Sequence, residues 1–317
     1  MAGVVAVGGG HGLAQALAAL RSLGATPTAI VTVADDGGSS GRLRRELGII
    51  PPGDLRMALL TLARNRPLAD LMAHRFTAGE LAGHALGNLV LVALAEQAGG
   101  DFLAALDGAG QLLDCAGRVL PATLAPVQLK AVVAGVQVDG QVQVATAGGR
   151  VERLWLEPGD PPACAPAVAA LAAAELVVLG PGSLFTSVIA TLLVPDLARA
   201  LAHAPGRVIL VANLATQVRE TEGMNLEAHV SALLDAVPGL SLDTVLMHDG
   251  PAPQGLGRPL GTELTEVRVG TAVPADLAVR RTDGTASAIH DVGRLAAALA
   301  PFVPGAVAAE GADRAHR

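Results

Sequence analysis

An apolar run, a glycine loop, a helical segment and a second apolar run open the chain, and this order constrains the fold most. Residues 4–7 (Val-Val-Ala-Val) are typical of a short buried strand, and residues 8–12 (Gly-Gly-Gly-His-Gly) follow at once. Leucines then recur at helical spacing until Gly24, and residues 30–33 (Ile-Val-Thr-Val) predict a second strand. Strand, helix and strand in this order predict a βαβ unit, which favours a parallel sheet with a right-handed crossover.

The rest of the chain continues as a mixture of helical and strand patterns within one domain. Helices are expected over residues 54–64, 87–97, 101–113 and 226–234, and strands over 176–179, 208–211 and 244–247. Alternating Val and Gln over about 130–157 predict a small β-meander insertion. We expect one α/β domain over residues 1–303 and a disordered tail over 304–317.

Composition excludes several classes of function. The net charge of -7 gives no basic footprint for nucleic acid, and 2% aromatic residues offer few stacking platforms. Lys130 is the only lysine, so a P-loop lysine is poorly supplied, and two cysteines make neither a metal cluster nor a disulfide framework. With no signal peptide and no membrane-length apolar run, we expect a cytoplasmic protein without membrane insertion.

The first glycine loop is a candidate phosphate site. Gly9, Gly10, His11 and Gly12 follow the first predicted strand and precede the first helix. Backbone amides without side chains approach an anion closely at a helix N-terminus. The alternative is a tight strand-to-helix turn, and the dinucleotide fingerprint is imperfect because its third glycine falls on Leu13.

A dense polar run follows the second predicted strand. It supplies Asp35, Asp36, Ser39, Ser40 and Arg42 within eight residues. Adjacent carboxylates at the end of a strand bind a ribose hydroxyl, or hold a divalent ion beside a diphosphate. A capped, solvated turn is the alternative interpretation.

Two further polar clusters lie at predicted helix starts. Asp54 and Arg56 open one helix, where Asp54 suits either an N-cap or a metal ligand and Arg56 suits a phosphate or carboxylate. His84 and Asn88 open another, with a ligand role and a structural role both open.

The second half repeats the arrangement of a strand followed by a polar loop. Gly182, Ser183 and Thr186 follow the strand at 176–179, and Asn213 and Thr216 follow the strand at 208–211. Parallel strands bring their carboxyl ends to one edge of the sheet, where ligands bind in open α/β folds. We therefore expect these loops to share one cleft.

Together these motifs resemble the YvcK-type gluconeogenesis factors, which share a fold with CofD, a 2-phospho-L-lactate transferase. The resemblance rests on residues 33–44, 51–56, 83–89, 180–187 and 213–221. It implies a Rossmann-like three-layer α/β/α fold with a mainly parallel sheet. It also implies binding of a UDP-sugar such as UDP-N-acetylglucosamine, with a role in cell shape and envelope synthesis during gluconeogenic growth.

Two positions depart from the pattern of those relatives. Met57 stands where many have asparagine, and Ile289 stands where many have an arginine before the histidine that matches His290. That arginine is an expected diphosphate contact. Three other arginines are candidates to supply its charge, namely Arg280, Arg281 and Arg294.

Three functional hypotheses follow. The first is a nucleotide-sugar-binding regulator whose two glycine loops hold the diphosphate, expected as a homodimer or higher homo-oligomer. The second is a Mg²⁺-dependent transferase of a phospho-group from a nucleoside-diphosphate-linked donor, with Asp36 and Asp54 as catalytic candidates and metal ligands. The third is an NAD-binding protein, which the βαβ unit favours and the imperfect fingerprint does not.

Overall fold

The computed structural model describes residues 3–254, 257–267 and 269–306. The strands in chain order are β1 (Val4–Gly8), β2 (Thr28–Val31), β3 (Arg118–Pro121), β4 (Gln128–Val133), β5 (Val136–Asp139), β6 (Val151–Glu157), β7 (Leu176–Leu179), β8 (Arg207–Val211), β9 (Thr244–His248), β10 (Pro253–Gln254), β11 (Thr271–Ala275), β12 (Ala278–Arg280) and β13 (Ala286–His290). The α-helices are α1 (Gly10–Ser22), α2 (Gly38–Leu47), α3 (Gly53–Leu62), α4 (Arg66–Ala73), α5 (Leu86–Gln97), α6 (Phe102–Leu112), α7 (Gln141–Thr146), α8 (Ala165–Ala172), α9 (Ala190–Leu192), α10 (Pro195–Ala202), α11 (Leu226–Ala236) and α12 (Val292–Leu299), and a π-helix spans Leu184–Ile189.

Seven parallel strands form the central sheet in the order β11-β9-β8-β7-β1-β2-β3. Every residue of β1 and β7 is buried. Both faces of these strands are covered, which is why their sequences are continuous apolar runs instead of alternating ones. The predicted α/β class with a parallel sheet is confirmed.

Helices cover both faces of the sheet and make three layers. The β1 to β2 crossover and the β7 to β8 crossover run in opposite directions from the centre of the sheet. Right-handed crossovers therefore place their helices on opposite faces. On one face α1 packs against α3 and α12, and on the other α8 packs against α10. The switch in direction lies between β1 and β7.

The polar run after the second strand is partly helical, whereas the sequence predicted a loop throughout. β2 ends at Val31, and α2 begins at Gly38 and ends against Gly48 in the left-handed conformation. Ser39 and Ser40 therefore lie on the first turn of a helix and are buried. The small side chains of this turn allow close packing, but they show no apolar periodicity from which a helix could be predicted.

The insertion is an antiparallel sheet of order β5-β4-β6 with a helix in it. The alternating pattern over 141–145 predicted a strand, and this detail is wrong because these residues form α7. Contacts outside the segment hold the helix. The Gln141 Nε2 donates to the Thr186 carbonyl (2.8 Å), and the Val142 N–H donates to Asp36 Oδ1 (3.0 Å).

The C-terminal part adds a three-stranded sheet, β10-β13-β12, and then α12 against α1. Most of the predicted disordered tail, residues 307–317, lies outside the described residues. No single helix among the described residues is long and apolar enough to cross a membrane. One pair bent by 84°, Leu184–Leu192 with Pro195–Ala202, passes on length and composition alone.

Candidate functional site

The two glycine loops meet at the switch point, directly after β1 and β7. A Cβ at Gly12 would lie 2.2 Å from the Pro181 carbonyl oxygen and 2.6 Å from the Gly182 Cα. Gly182 itself lies against the backbone of Gly9, where a Cβ would be 3.5 Å from the carbonyl oxygen. Only glycine permits this approach of one backbone to the other. The predicted meeting of these two loops is thus seen in the geometry.

The Asp54 side chain, on the first turn of α3, lies against the first glycine loop. A Cβ at Gly9 would meet its Oδ2 at 2.6 Å, and the Gly10 N–H donates to its carboxylate. Burial, with the charge of Asp35 as the second cause, raises the pKa of Asp54 to about 6. The hydrogen bond from Gly10 and the charge of Arg56 act in the opposite direction without cancelling this shift. A carboxylate therefore already occupies part of the predicted phosphate cradle.

Asp35 lies beside Asp54 at the start of α3. Its Oδ1 accepts the Gly37 N–H at 2.9 Å, and Ser40 donates a side-chain hydrogen bond to it. A Cβ at Gly53 would lie 2.3 Å from Ser40 Oγ and 3.0 Å from Asp35 Oδ2, so glycine lets α3 begin against this carboxylate. Burial is the main cause that raises the pKa of Asp35.

Asp36 is directed toward the insertion. Its Oδ1 accepts the Val142 N–H on the first turn of α7, and its Oδ2 lies against Gly140. The carboxylate thus caps a helix of the insertion. Asp35, not Asp36, is the acid whose charge acts on Asp54. The pairing of Asp36 with Asp54 on one metal stays a prediction, and Asp35 and Asp54 make the closer pair.

A buried hydrogen-bond chain connects α3, α5 and α2. The Arg56 Nε donates to Asn88 Oδ1 and the Asn88 Nδ2 donates to Ser39 Oγ, each at 2.9 Å. Ser39 Oγ lies 2.9 Å from His84 Nδ1 and forms a hydrogen bond with it, in which the imidazole tautomer decides the donor. Burial lowers the pKa of His84, with the charge of Arg42 as the second cause. Ser39, His84 and Asn88 therefore position Arg56, and the polar atoms of the Ser39 and Asn88 side chains are already paired.

Side chains from the β8 loop hold the second glycine loop. The Asn213 Oδ1 accepts the Gly182 N–H (3.1 Å), and its Nδ2 donates to the Gly182 carbonyl (2.7 Å). The Gln217 Nε2 donates to Ser183 Oγ at 2.8 Å. The amide groups of Asn213 and Gln217 thus fix the conformation of the loop that the sequence assigned to the ligand.

Glu220 caps the π-helix that follows this loop. Its Oε1 accepts the N–H groups of Phe185 (3.0 Å) and Thr186 (3.1 Å), and the Thr186 hydroxyl also donates to it. Burial raises the pKa of Glu220 despite these bonds. A π-helix is rare and often marks a functional site. Thr186 is therefore part of a rigid wall of the cleft.

The side chains of two predicted positions, His11 and Thr216, lie apart from this cleft or are bonded elsewhere, and so does the side chain of His290, the match to the family histidine. His11 is exposed on α1 and lines an outer groove with Met57. Thr216 binds the Arg258 backbone, accepting its N–H at Oγ1 (2.8 Å) and donating its own N–H to the Arg258 carbonyl (2.7 Å). His290 is buried and donates from Nε2 to the Ala212 carbonyl at 3.1 Å.

The arginines expected to compensate for Ile289 are also engaged. Ile289 is 53% exposed. Arg280 and Arg294 both form ion pairs with Asp276, and Arg281 donates to the Gln254 carbonyl. Arg280 and Arg294 therefore already have a carboxylate partner.

The acids at the cleft fit a Mg²⁺ ion held together with a ligand phosphate. No group of three or more His, Cys, Asp or Glu side chains among the described residues is arranged to hold a metal. Magnesium commonly takes only one or two carboxylates and completes its shell with phosphate oxygens and water. Asp35 and Asp54 would be the two protein ligands, and burial, which raises the pKa of each, is not offset by the charges of Arg44 and Arg56.

Sequence reasoning missed several residues that shape the site. Gln141 connects the insertion to the π-helix wall, Gln217 holds Ser183, and Arg75 donates to the Gly83 carbonyl. Gln217 and Glu220 lie in the 213–221 stretch that carries the family resemblance, but the sequence assigns neither of them to the site. Gln141 and Arg75 belong to no motif.

Fold and site together define an open α/β protein with paired glycine loops and acidic residues at its switch point, the place where ligands bind in open α/β folds. The chain belongs to the CofD family, because residues 4–282 match the family model described as 2-phospho-L-lactate transferase CofD. The family that the sequence motifs pointed to is therefore confirmed.

Curated relatives and a solved structure agree with this family. A putative gluconeogenesis factor of Mycobacterium tuberculosis is 45% identical over 310 residues, covering 94% of this chain and 89% of the relative. The gluconeogenesis factor of Bacillus subtilis is 40% identical over 254 residues, covering 79% of this chain and 80% of the relative. A crystal structure of a UPF0052 family member from Bacillus halodurans superposes with a TM-score of 0.84 at 34% identity, covering 93% and 97% of the two chains.

Proposed function

We propose that this chain is a cytoplasmic regulator that binds a nucleotide sugar of the UDP-N-acetylglucosamine type and supports envelope synthesis and cell shape during gluconeogenic growth. One observation carries the binding: Gly12 and Gly182 are in backbone contact at the switch point. Two amide-rich turns thus face one crevice, as a diphosphate requires. The relatives named gluconeogenesis factor support the physiological context.

The acids determine how a diphosphate would be held. Asp54 accepts the Gly10 N–H, while the following amides of α1, at His11 and Gly12, have no partner within the helix. A phosphate at these amides would lie close to the Asp54 carboxylate. A Mg²⁺ ion on Asp35 and Asp54 would supply the positive charge that joins carboxylate and phosphate. Binding is therefore expected to need magnesium.

Isothermal titration with UDP-N-acetylglucosamine tests the proposal, with and without Mg²⁺. The variant Gly12→Ala should weaken binding by at least about tenfold, because its Cβ separates the two loops. Gly108→Ala is the matched control, since nothing lies within 4 Å of its Cβ and its helix is remote from the loops. No heat with the unmodified protein at millimolar ligand would refute nucleotide-sugar binding, and stronger heat with NAD⁺ would replace it with dinucleotide binding. Light scattering on the same samples tests the expected homo-oligomer.

A second candidate is transfer of a phospho-group from a nucleoside-diphosphate-linked donor, which the Asp35–Asp54 pair and the family description favour. Incubation with GDP- or UDP-linked donors and Mg²⁺ should release the nucleoside phosphate. Asp54→Asn should abolish the release, and Asp36→Asn should retain it if Asp36 only caps α7. Equal release from the unmodified protein and Asp54→Asn would rule out this role for Asp54.

A further inference from the structure

We propose that Arg42, Arg56 and Arg75 form a second anion subsite, separate from the glycine loops, which takes a doubly charged oxyanion such as a phosphate monoester or a dicarboxylate. The subsite does not depend on nucleotide-sugar binding. Asp54 and Arg56 are two residues apart on α3, which separates their directions by about 200° around the helix axis. The glycine loops and the arginines therefore lie on different sides of α3.

Two of the three guanidinium groups, those of Arg42 and Arg75, bind one turn, and the charge of Arg75 acts on the third. The Arg42 Nη2 donates to the Ala82 carbonyl at 2.7 Å, and the Arg75 Nη1 donates to the Gly83 carbonyl. These carbonyls belong to consecutive residues, so the two groups flank the same stretch of backbone. The charge of Arg75 in turn lowers the pKa of Arg56, after burial as the larger cause.

Arg56 is held rigidly with its terminal nitrogens unused. It is only 8% exposed, and a Cβ at Gly87 would lie 2.8 Å from its Cδ, so glycine makes room for the side chain. Its Nε donates to Asn88, the first member of the buried chain to Ser39. Among the described residues, neither Nη of Arg56 has a hydrogen-bond or ion-pair partner. An arginine fixed through Nε presents its two Nη groups as a planar fork.

The cluster lacks the carboxylates that would neutralise it. No ion pair of the described residues includes Arg42, Arg56 or Arg75. At longer range the charge of Asp54 acts on Arg56, and the charge of Glu46 acts on the neighbouring His84. A purely structural role explains the bonds of Arg42 and Arg75 to carbonyls. It does not explain why Arg56, buried along most of its length, presents both Nη groups without a protein partner. Neither Nη is among the buried unpaired atoms of the described residues, so the fork reaches solvent and is open to a bound oxyanion, which guanidinium groups pair with in a bidentate manner.

Arg75 offers the cleanest test because it is exposed and its replacement leaves the core intact. The probes are inorganic phosphate and malonate, titrated by calorimetry at constant ionic strength. The proteins are the unmodified chain, Arg75→Gln, Arg75→Lys and the control Arg199→Gln, whose arginine is exposed on α10 and pairs with Asp196. The preferred probe decides between a phosphate and a dicarboxylate.

Loss of one charge-assisted contact should weaken anion binding about tenfold in Arg75→Gln. Arg75→Lys should bind with intermediate affinity because it keeps the charge and loses the fork, and Arg199→Gln should match the unmodified chain. UDP-N-acetylglucosamine titrated into the same proteins should bind equally, so the two proposals fail separately. The subsite is overturned if the unmodified chain binds neither probe at millimolar concentration, or if Arg75→Gln binds both as well as the unmodified chain, which would place the anion at the glycine loops.

Discussion

Replacing Asp54 by asparagine should stabilise the protein at neutral and alkaline pH while impairing its site. Asp54 ionises in a half-buried position beside Asp35, and this raises its pKa from 3.8 to about 6. Asparagine has the same shape, still accepts the Gly10 N–H through its amide oxygen, and carries no charge. The variant therefore removes the repulsion and the desolvation of the carboxylate and keeps the local geometry.

The magnitude follows from the difference between the folded and unfolded pKa values. A shift of roughly two units corresponds to about 3 kcal/mol against the folded state once the group is ionised, since each unit is about 1.36 kcal/mol. The side chain is partly exposed and water screens its charge, so we expect a gain of about 1–3 kcal/mol. Because the folded pKa is raised, the penalty is complete above about pH 6 and disappears as the pH falls to 3.8. The gain should shrink to about 1 kcal/mol or less at pH 4.5.

Urea unfolding followed by circular dichroism at pH 8.0 and pH 4.5 measures this difference, with metal chelated. The unfolding midpoint should rise in Asp54→Asn at pH 8.0 with an unchanged m-value. Asp235→Asn is the control, because Asp235 is exposed on α11 and takes part in no ion pair of the described residues. A midpoint that is unchanged or lower at pH 8.0, or a gain equal at both pH values, would refute the electrostatic reasoning.

Three further outcomes are expected. Gly12→Ala should lower the free energy of unfolding by about 1–3 kcal/mol in a urea titration because its Cβ overlaps the facing backbone, whereas Gly108→Ala in α6 should be neutral or stabilising. Asp36→Ala should speed amide hydrogen exchange in α7 about fivefold, reflecting loss of about 1 kcal/mol from its cap, with no change in β1 and β7. Burial lowers the pKa of His290 from 6.5 to about 4. The buried neutral imidazole therefore contributes fully to the free energy of unfolding above pH 6.5. This contribution, of up to about 3 kcal/mol, is lost as the pH falls through 4. His290→Gln should accordingly flatten the loss of stability between these pH values in urea titrations.

Much of the fold was predictable because its signals are local. The apolar runs of β1 and β7 are uninterrupted, and each is followed by glycines, so both strands and their order relative to the helices could be predicted. The position of the two glycine loops followed from the same pattern, since parallel strands end at one edge of the sheet. The backbone contact between Gly12 and Pro181 agrees with this expectation.

The parts that could not be predicted depend on contacts between distant segments. Residues 141–145 alternate like a strand, yet Asp36 and Thr186, both remote in sequence, hold them as α7. A contact with a segment distant in sequence also changes the interpretation of Asp36. In the sequence it resembles a catalytic acid, whereas in the structure it caps α7. Arg75 carries no motif, and only the folding of the Gly83 turn brings it to Arg42.

The charges around α3 indicate how ligand binding and stability are linked. Toward the glycine loops, Asp35 and Asp54 repel each other and resist ionisation, while toward α5 the charges of Arg56 and Arg75 repel each other. Each group of like charges destabilises the ligand-free fold, and a ligand of opposite charge removes that destabilisation. A cation with a diphosphate on the first side and an oxyanion on the second should therefore each raise the melting temperature, by an amount that grows with the logarithm of ligand concentration. The stabilisation should be additive if the two subsites fill independently, because α3 separates them and they share no side chain.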